Sequence, residues 1–391
     1  MVGVAAILVL GIAAFGVTQL QGKPQPAYSA NVVSSLSEGD TAGFARALTP
    51  RQFSFPTDFG SHPEFQTEWW YYTGNLASQD GRRFGYEFTI FRRAVTPTLP
   101  QRESEWATNQ IYFADLAVSD IGANQFYFKQ QFSRGAVDLA GSTTDPRFHV
   151  WIQDWTITAQ DADAKTVQLK AAENPIGIEL TTTQIKPPTL QGDKGLSPKS
   201  PEPGNASYYY SLTRLPTEGT LMVSGTAYKV SGTTWMDHEF STSSLSKDAI
   251  GWDWFSLQLD NQREIMLYRI RKKDGSVESV SHGTLVEADG TSQAIALSDF
   301  KIEGLRQWTS PHTAAVYPAG WRVTVQAKSG PIRLEITPLM ADQELNSATA
   351  YWEGASKITG TDNGKAVTGY GYVELTGYNQ SPVKSSDQPT R

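Results

Sequence analysis

A chain of 391 residues with a formal charge of −7 lacks the basic footprint of a nucleic-acid binder. The absence of cysteine excludes disulfides, thiolate catalysis, iron–sulfur clusters, cysteine zinc sites and lipobox anchoring. The 11 Trp, 16 Tyr, 17 Phe and 33 Gly suit strands and turns better than helical bundles, and the length favours two domains.

The first 22 residues, MVGVAAILVLGIAAFGVTQLQG, precede the first charged side chain, Lys23. That is near the length of a membrane-spanning helix. The segment reads as either a signal peptide or a membrane anchor, and both place the body outside the cytoplasm, in the periplasm or cell envelope. Residues 23–55 form a polar, Pro- and Ser-bearing stalk, with one short helix expected over Ser37–Leu48.

From Glu68 onward the pattern is β. EWWYYTGNLAS and RRFGYEFTIFRR read as two strands around a Gly-bearing turn, QDGR. Short alternating runs continue through IGIELTTTQIK. Lys186–Ser207 is rich in Pro, Gly and Lys and too long for an ordinary hairpin turn, so an exposed loop is expected. Strands then resume, and a second β series follows WDWF, its hydrophobic runs broken by DG, DN and SG turns. EWWYYTGNLASQDGRRFGYEFTIFRR and WDWFSLQLDNQREIMLYRIRKKDG share one order of features: aromatic cluster, strand, Asp turn, Arg, then a strand ending in basic residues. This points to a duplicated barrel opening. The expected division is 56–230 for the first β domain, 231–380 for the second, and 381–391 as a polar tail.

Chemistry concentrates in TTWMDHEFSTSSLSKDAIGWDWF, residues 233–255. In a strand, Asp237 and Glu239 face one way and His238 the other. Trp252 and Trp254 likewise share a face, with Asp253 opposite. In the first hairpin, Glu68, Trp70 and Tyr72 share one face, and Trp69 and Tyr71 the other. HExxH, GxSxG, GxGxxG and P-loop patterns are absent, so no metal and no nucleotide cofactor is expected. A carboxylic acid buried beside Trp keeps its proton near neutral pH. Aromatic faces stabilise a cation. Together these suit cofactor-free protonation of a C=C bond. Asp237 and Asp253 are both candidate acids, with His238 or Glu239 to position water.

At these residues the chain resembles a known family. FGSHPEFQTEWWYYTGNL, SYYYSLTRL, TTWMDHEFSTSSL, GWDWFSLQLDNQREIMLYRIRKKDG and YWEGASKITG with GYGYVELTGY are similar, in chain order, to the AttH-like branch of the lipocalin-like carotenoid 1,2-hydratase superfamily. The resemblance implies an all-β fold of two lipocalin-like antiparallel β-barrel domains in tandem, here preceded by the N-terminal hydrophobic helix. It also implies that the signature residues gather around a cavity at the junction. Trp235 and Tyr268 join Glu68, Trp69, Trp70, Tyr71, Tyr72, Trp252 and Trp254 as expected ligand contacts. The implied ligand is an isoprenoid or lipid, either bound passively or hydrated or cyclised. The implied partners are the membrane, through the first segment, and ABC-transporter components, for which the chain would serve as a scaffold.

Overall fold

The computed structural model describes residues 41–242, 245–346 and 351–378. The apolar leader, most of the stalk and the polar tail lie outside the described residues. Thr41–Leu48, the described part of the expected short helix, forms turns and irregular chain. No helix among the described residues is long and apolar enough to cross a membrane.

The first sheet comprises β1 (Thr67–Ser78), β2 (Arg83–Ala94), β3 (Gln110–Asp120), β4 (Gln125–Arg134), β5 (Ala140–Thr143), β6 (His149–Ile152), β7 (Trp155–Ala159), β8 (Thr166–Glu173), β9 (Ile176–Thr183), β10 (Thr189–Leu190), β11 (Leu196–Pro198), β12 (Ala206–Val223) and β13 (Thr226–Ser241). The second holds β14 (Ala249–Leu259), β15 (Glu264–Lys272), β16 (His282–Val286), β17 (Ser292–Ala296) and β18 (Phe300–Gly304). After a small ribbon, β19 (Gln307–Thr309) with β20 (Val316–Pro318), it continues with β21 (Trp321–Ala327), β22 (Gly330–Pro338), β23 (Glu344–Leu345), β24 (Tyr351–Asp362) and β25 (Lys365–Leu375).

Every pairing is antiparallel, and each sheet curls into a nearly closed barrel around its own apolar core. The strand orders are β4-β3-β2-β1-β13-β12-β9-β8-β7-β6-β5 and β17-β16-β15-β14-β25-β24-β22-β21-β18. In both, four consecutive strands run outward from the first, and the first pairs with the last. The hairpin similarity seen in the sequence is therefore a repeat of topology: β1–β2 and β14–β15 occupy equivalent places.

Two expectations change. The division near residue 230 cuts through β13, which pairs with β12 from end to end and with β1 over Val230–Ser241. The chain passes from one sheet to the other between Ser241 and Ala249. A last strand that must close onto the first belongs to the first barrel, whatever its composition. Lys186–Ser207 is also no free loop: β10 and β11 add to β12, and the segment straps the barrels together. Buried Lys186 places Nζ 2.7 Å from Glu264 of the second barrel, where Arg214 also pairs. Gln191 accepts from Thr284 at 2.6 Å.

The two barrels share a third, aromatic-rich cluster that includes Tyr71, Tyr209, Trp235, Trp254, Met266, Tyr268 and Tyr372. This explains the strand sequences. In β8 one face meets solvent, and TVQLKAAE alternates between buried and more exposed positions. In β1 and β14 both faces are covered, so EWWYYTGNL and IGWDWFSLQL are buried almost without a break, polar positions included. Gly85 marks how close the barrels come, since a Cβ there would lie 2.5 Å from Cβ of Ala355.

Candidate active site between the barrels

The expected facing holds along both signature strands, and it separates two polar clusters that stand back to back. The inner cluster lies at one end of the first barrel. Glu68, fully buried, accepts from Nδ1 of His62 at 2.8 Å, Nε2 of His238 at 2.9 Å and Nε of Arg92 at 2.7 Å. Nε2 of His62 lies 2.9 Å from Asp58, and Nδ1 of His238 lies 2.7 Å from the Tyr210 hydroxyl. Trp70 stacks on His238 and donates to the Phe59 carbonyl.

Burial alone would raise the Glu68 carboxyl, but the Arg92 charge and the two imidazoles hold it well below the usual carboxylate range. Burial lowers His238. For His62 the hydrogen bonds to Asp58 and Glu68 outweigh burial and raise it. His62, Glu68 and His238 bring three ligand-type atoms within 4.8 Å of one another. Those atoms are already spent on each other, and the Arg92 guanidinium beside Glu68 opposes a further cation. This cluster is a closed network of paired charges.

The outer cluster faces the second barrel across a cavity of about 130 Å³. Trp69 and Tyr71 of β1, Tyr209 of β12, and Asp237 and Glu239 of β13 form one wall. Trp252 and Trp254 of β14, Tyr268 of β15, Glu353 of β24 and Glu374 of β25 form the other. Asp237 Oδ1 accepts from Ser211 at 2.5 Å and the Trp235 indole at 2.7 Å, whereas Oδ2 accepts from Tyr209 at 2.6 Å. The Trp254 indole donates in turn to the Tyr209 oxygen at 3.1 Å. Burial raises Asp237 to about 7 against the pull of these three donors, and the nearby Glu239 charge adds to the rise.

Opposite, burial raises Glu374 to about 8, against a Trp252 hydrogen bond. Burial and the Glu374 and Glu87 charges push Glu353 well up, and Glu353 accepts from the Tyr71 hydroxyl at 3.0 Å. Lys199 Nζ, over the Tyr268 ring, sits 2.8 Å from Glu239. Near neutral pH the cavity therefore presents protonated Glu374 and Glu353, a partly protonated Asp237 and aromatic faces, with Arg93 and the Lys199–Glu239 ion pair also in its lining. That combination can give a proton to an apolar ligand, with Lys199 offsetting the charge of the Glu239 carboxylate.

The residues expected in the site thus divide. Asp237, Glu239, Trp69, Tyr71, Trp252, Trp254 and Tyr268 meet at the cavity. Trp235 stands behind Asp237 as its hydrogen-bond donor. Glu68, Trp70, Tyr72 and His238 point into the first barrel instead. Asp253 is also turned away: its carboxylate pairs with Arg269 at 2.8 Å and Arg271 at 2.9 Å and accepts from Tyr378. Of the two candidate acids, Asp237 alone reaches the cavity.

Sequence reasoning did not single out Tyr209, Ser211, Lys199, Glu353 or Glu374. Tyr209 and Ser211 lie in SYYYSLTRL and Glu353 in YWEGAS, so a signal existed there. Lys199 sits in a Pro-rich stretch that carries no such mark.

Comparison with known proteins agrees with this architecture. An AttH-like family model matches residues 46–378. A solved structure of a putative AttH from Nitrosomonas europaea is 34% identical, with a TM-score of 0.74, covering 85% of this chain and 99% of that one. Kievitone hydratase from Nectria haematococca shares the fold at 14% identity, with a TM-score of 0.63 and coverage of 87% and 98%. Kievitone hydratase of Fusarium solani subsp. phaseoli is 24% identical over 176 residues, 43% of this chain. The match spans about half of that curated relative, 49% of its length.

Proposed function

Since this chain belongs to the AttH-like family, we propose that it binds an apolar, unsaturated ligand of isoprenoid type between its barrels and adds water to a C=C bond without a cofactor. The observation that carries this reading is Asp237, raised to about 7 and lining an aromatic cavity. Likeness to kievitone hydratase supports the reaction class.

The proton on Asp237 forms the new C–H bond as the π bond breaks, leaving a carbocation on the neighbouring carbon. The faces of Trp252, Trp254 and Tyr71 stabilise that charge by cation–π attraction, worth on the order of 2 kcal/mol where water is excluded. Water adds to the cation, and its proton passes to Glu239, from which solvent exchange restores Asp237. A cavity of about 130 Å³ encloses only a few carbon atoms, against the roughly 300–1,000 Å³ of sites that engulf whole drug-sized ligands. It therefore holds the reacting end of a longer molecule. We place the protein outside the cytoplasm on the strength of its uncharged first 22 residues.

The test is incubation with acyclic isoprenoids in heavy-oxygen water, followed by mass spectrometry of the bound and released compounds. A labelled alcohol from wild type but not from Asp237→Asn is the expected result. Bound ligand without label would make the protein a passive carrier. Neither ligand nor label would end the proposal.

A further inference from the structure

The cavity lining reaches one end of the first barrel through Thr67, Phe91, Arg93 and Phe113, and the outer face there carries an aromatic row beside Arg93, Ile111 and Arg134. Phe132, Phe113, Phe91 and Trp69 occupy directly paired positions on β4, β3, β2 and β1. Their rings follow one another at 5.9, 4.3 and 6.4 Å between centroids. This row begins at Phe132, which is 59% exposed, and ends on the cavity wall at Trp69. At the same end of the strands, the loop joining β2 to β3 holds Leu99, 68% exposed, and Trp106, 53% exposed. Ile111, the second residue of β3, is exposed at the same end, between Arg93 and Arg134.

Large apolar side chains left together in water mark a surface that something covers. The start of the described chain indicates what. Gly43 packs so closely on Pro97 of this loop that a Cβ would lie 2.9 Å from the proline ring. Gly43, which follows the 22-residue apolar segment by 21 positions, is therefore held against this loop. A Trp and a Leu at an exposed tip are also the residues that settle at the lipid–water boundary. The loop itself is not basic, with Arg102 against Glu103 and Glu105, whereas Arg93 and exposed Arg134 flank Ile111 on the same face.

We propose that the β2–β3 loop, with Ile111 and Phe132, docks on a phospholipid bilayer, and that the aromatic row conducts an apolar ligand from the lipid into the cavity. The conduction step rests on the ligand reading above, and the docking step does not. The chain's lack of cysteine makes a direct test simple. Leu99→Cys, Trp106→Cys and, as control, Gln79→Cys in the β1–β2 turn at the far end are made in the full-length chain. Each is spin-labelled and reconstituted in phosphatidylcholine vesicles.

Labels at 99 and 106 should collide with oxygen in preference to a water-soluble nickel complex, and the label at 79 should do the reverse. Equal nickel access at all three positions would overturn the docking. So would shielding of 99 and 106 from both agents without lipid, since a second copy would then cover the patch. Conduction is read with the Leu99→Asp, Trp106→Asp double variant. It should take up a polyene from vesicles several-fold more slowly while binding the same polyene from detergent solution normally. Unchanged uptake from vesicles would remove the conduction step. Lipid-facing labels in a protein that binds no polyene at all would remove the ligand reading and leave the docking standing.

Discussion

Asp237 and His238 are neighbours in the sequence, yet they belong to two clusters with opposite electrostatics. His238 enters a network in which Glu68 meets Arg92 and two imidazoles, so burial is outweighed and the charge is kept. Asp237 meets hydroxyls, an indole and an apolar space. Burial wins there, and the proton is kept. Both carboxyls are deeply buried. The difference is the Arg92 charge with two imidazoles, whose presence keeps Glu68 a structural anion and whose absence leaves Asp237 a proton donor.

Four predictions bear on this contrast. The largest effect belongs to the outer cluster: Asp237→Asn should lower any hydration rate by about 100- to 10,000-fold, the range for a lost general acid. Its urea midpoint should barely move, because an amide keeps most of the hydrogen bonds. Asp253→Asn should leave the rate per folded molecule unchanged, and a loss equal to that of Asp237→Asn would reverse the choice between the two acids.

The inner cluster should show the converse. Glu68→Gln leaves Arg92 buried without its carboxylate, and breaking such a pair costs about 3–5 kcal/mol. Urea denaturation would measure this. The molecules that remain folded should bind ligand normally, and a variant as stable as wild type would show that the network is not what holds this end of the barrel.

Removing the Tyr209 hydroxyl sharpens the comparison within the cavity. That hydroxyl lowers Asp237 by donating to it. Tyr209→Phe should therefore raise the acid further and move the alkaline limb of the pH–rate profile upward from its wild-type position near 7. A limb that stays in place would mean that another group sets it.

The last test is of stability against pH. Asp115, Asp237 and Glu374 are raised to about 6, 7 and 8. The folded state holds protons there that the unfolded chain has already released. Their contribution is complete below the ordinary carboxylate range and is lost progressively as pH rises from that range up through the folded values of about 6, 7 and 8. The melting temperature should fall across that interval, and less steeply in Asp237→Asn. Glu68 and Asp58 are lowered and act in the opposite sense: their contribution is lost as pH falls through the carboxylate range.

Much of this was legible before the fold. Strand periodicity alone separates Asp237 and Glu239 from His238, and Trp252 and Trp254 from Asp253, because successive side chains leave a strand on opposite sides. The aromatic hairpins identify both barrel openings. What periodicity does not say is which face meets which neighbour. Asp237 and Asp253 are equivalent in a one-dimensional reading: each is an acid in an aromatic stretch. Only the packing of one barrel against the other puts Asp237 at a cavity and Asp253 between two arginines.

Local chemistry in the sequence thus determined the all-β class, the repeated hairpin and the facing of each signature residue, since these depend on neighbours one or two positions away. Tertiary structure alone decided where the first barrel ends, because β13 is assigned by its pairing with β1, a partner more than a hundred residues earlier. It also decided that Lys199, from an unremarkable Pro-rich segment, stands at the cavity beside Glu239. The protonation of Asp237 belongs to the same level, for a pKa is set by the groups that surround a carboxyl in space, and those come from both barrels.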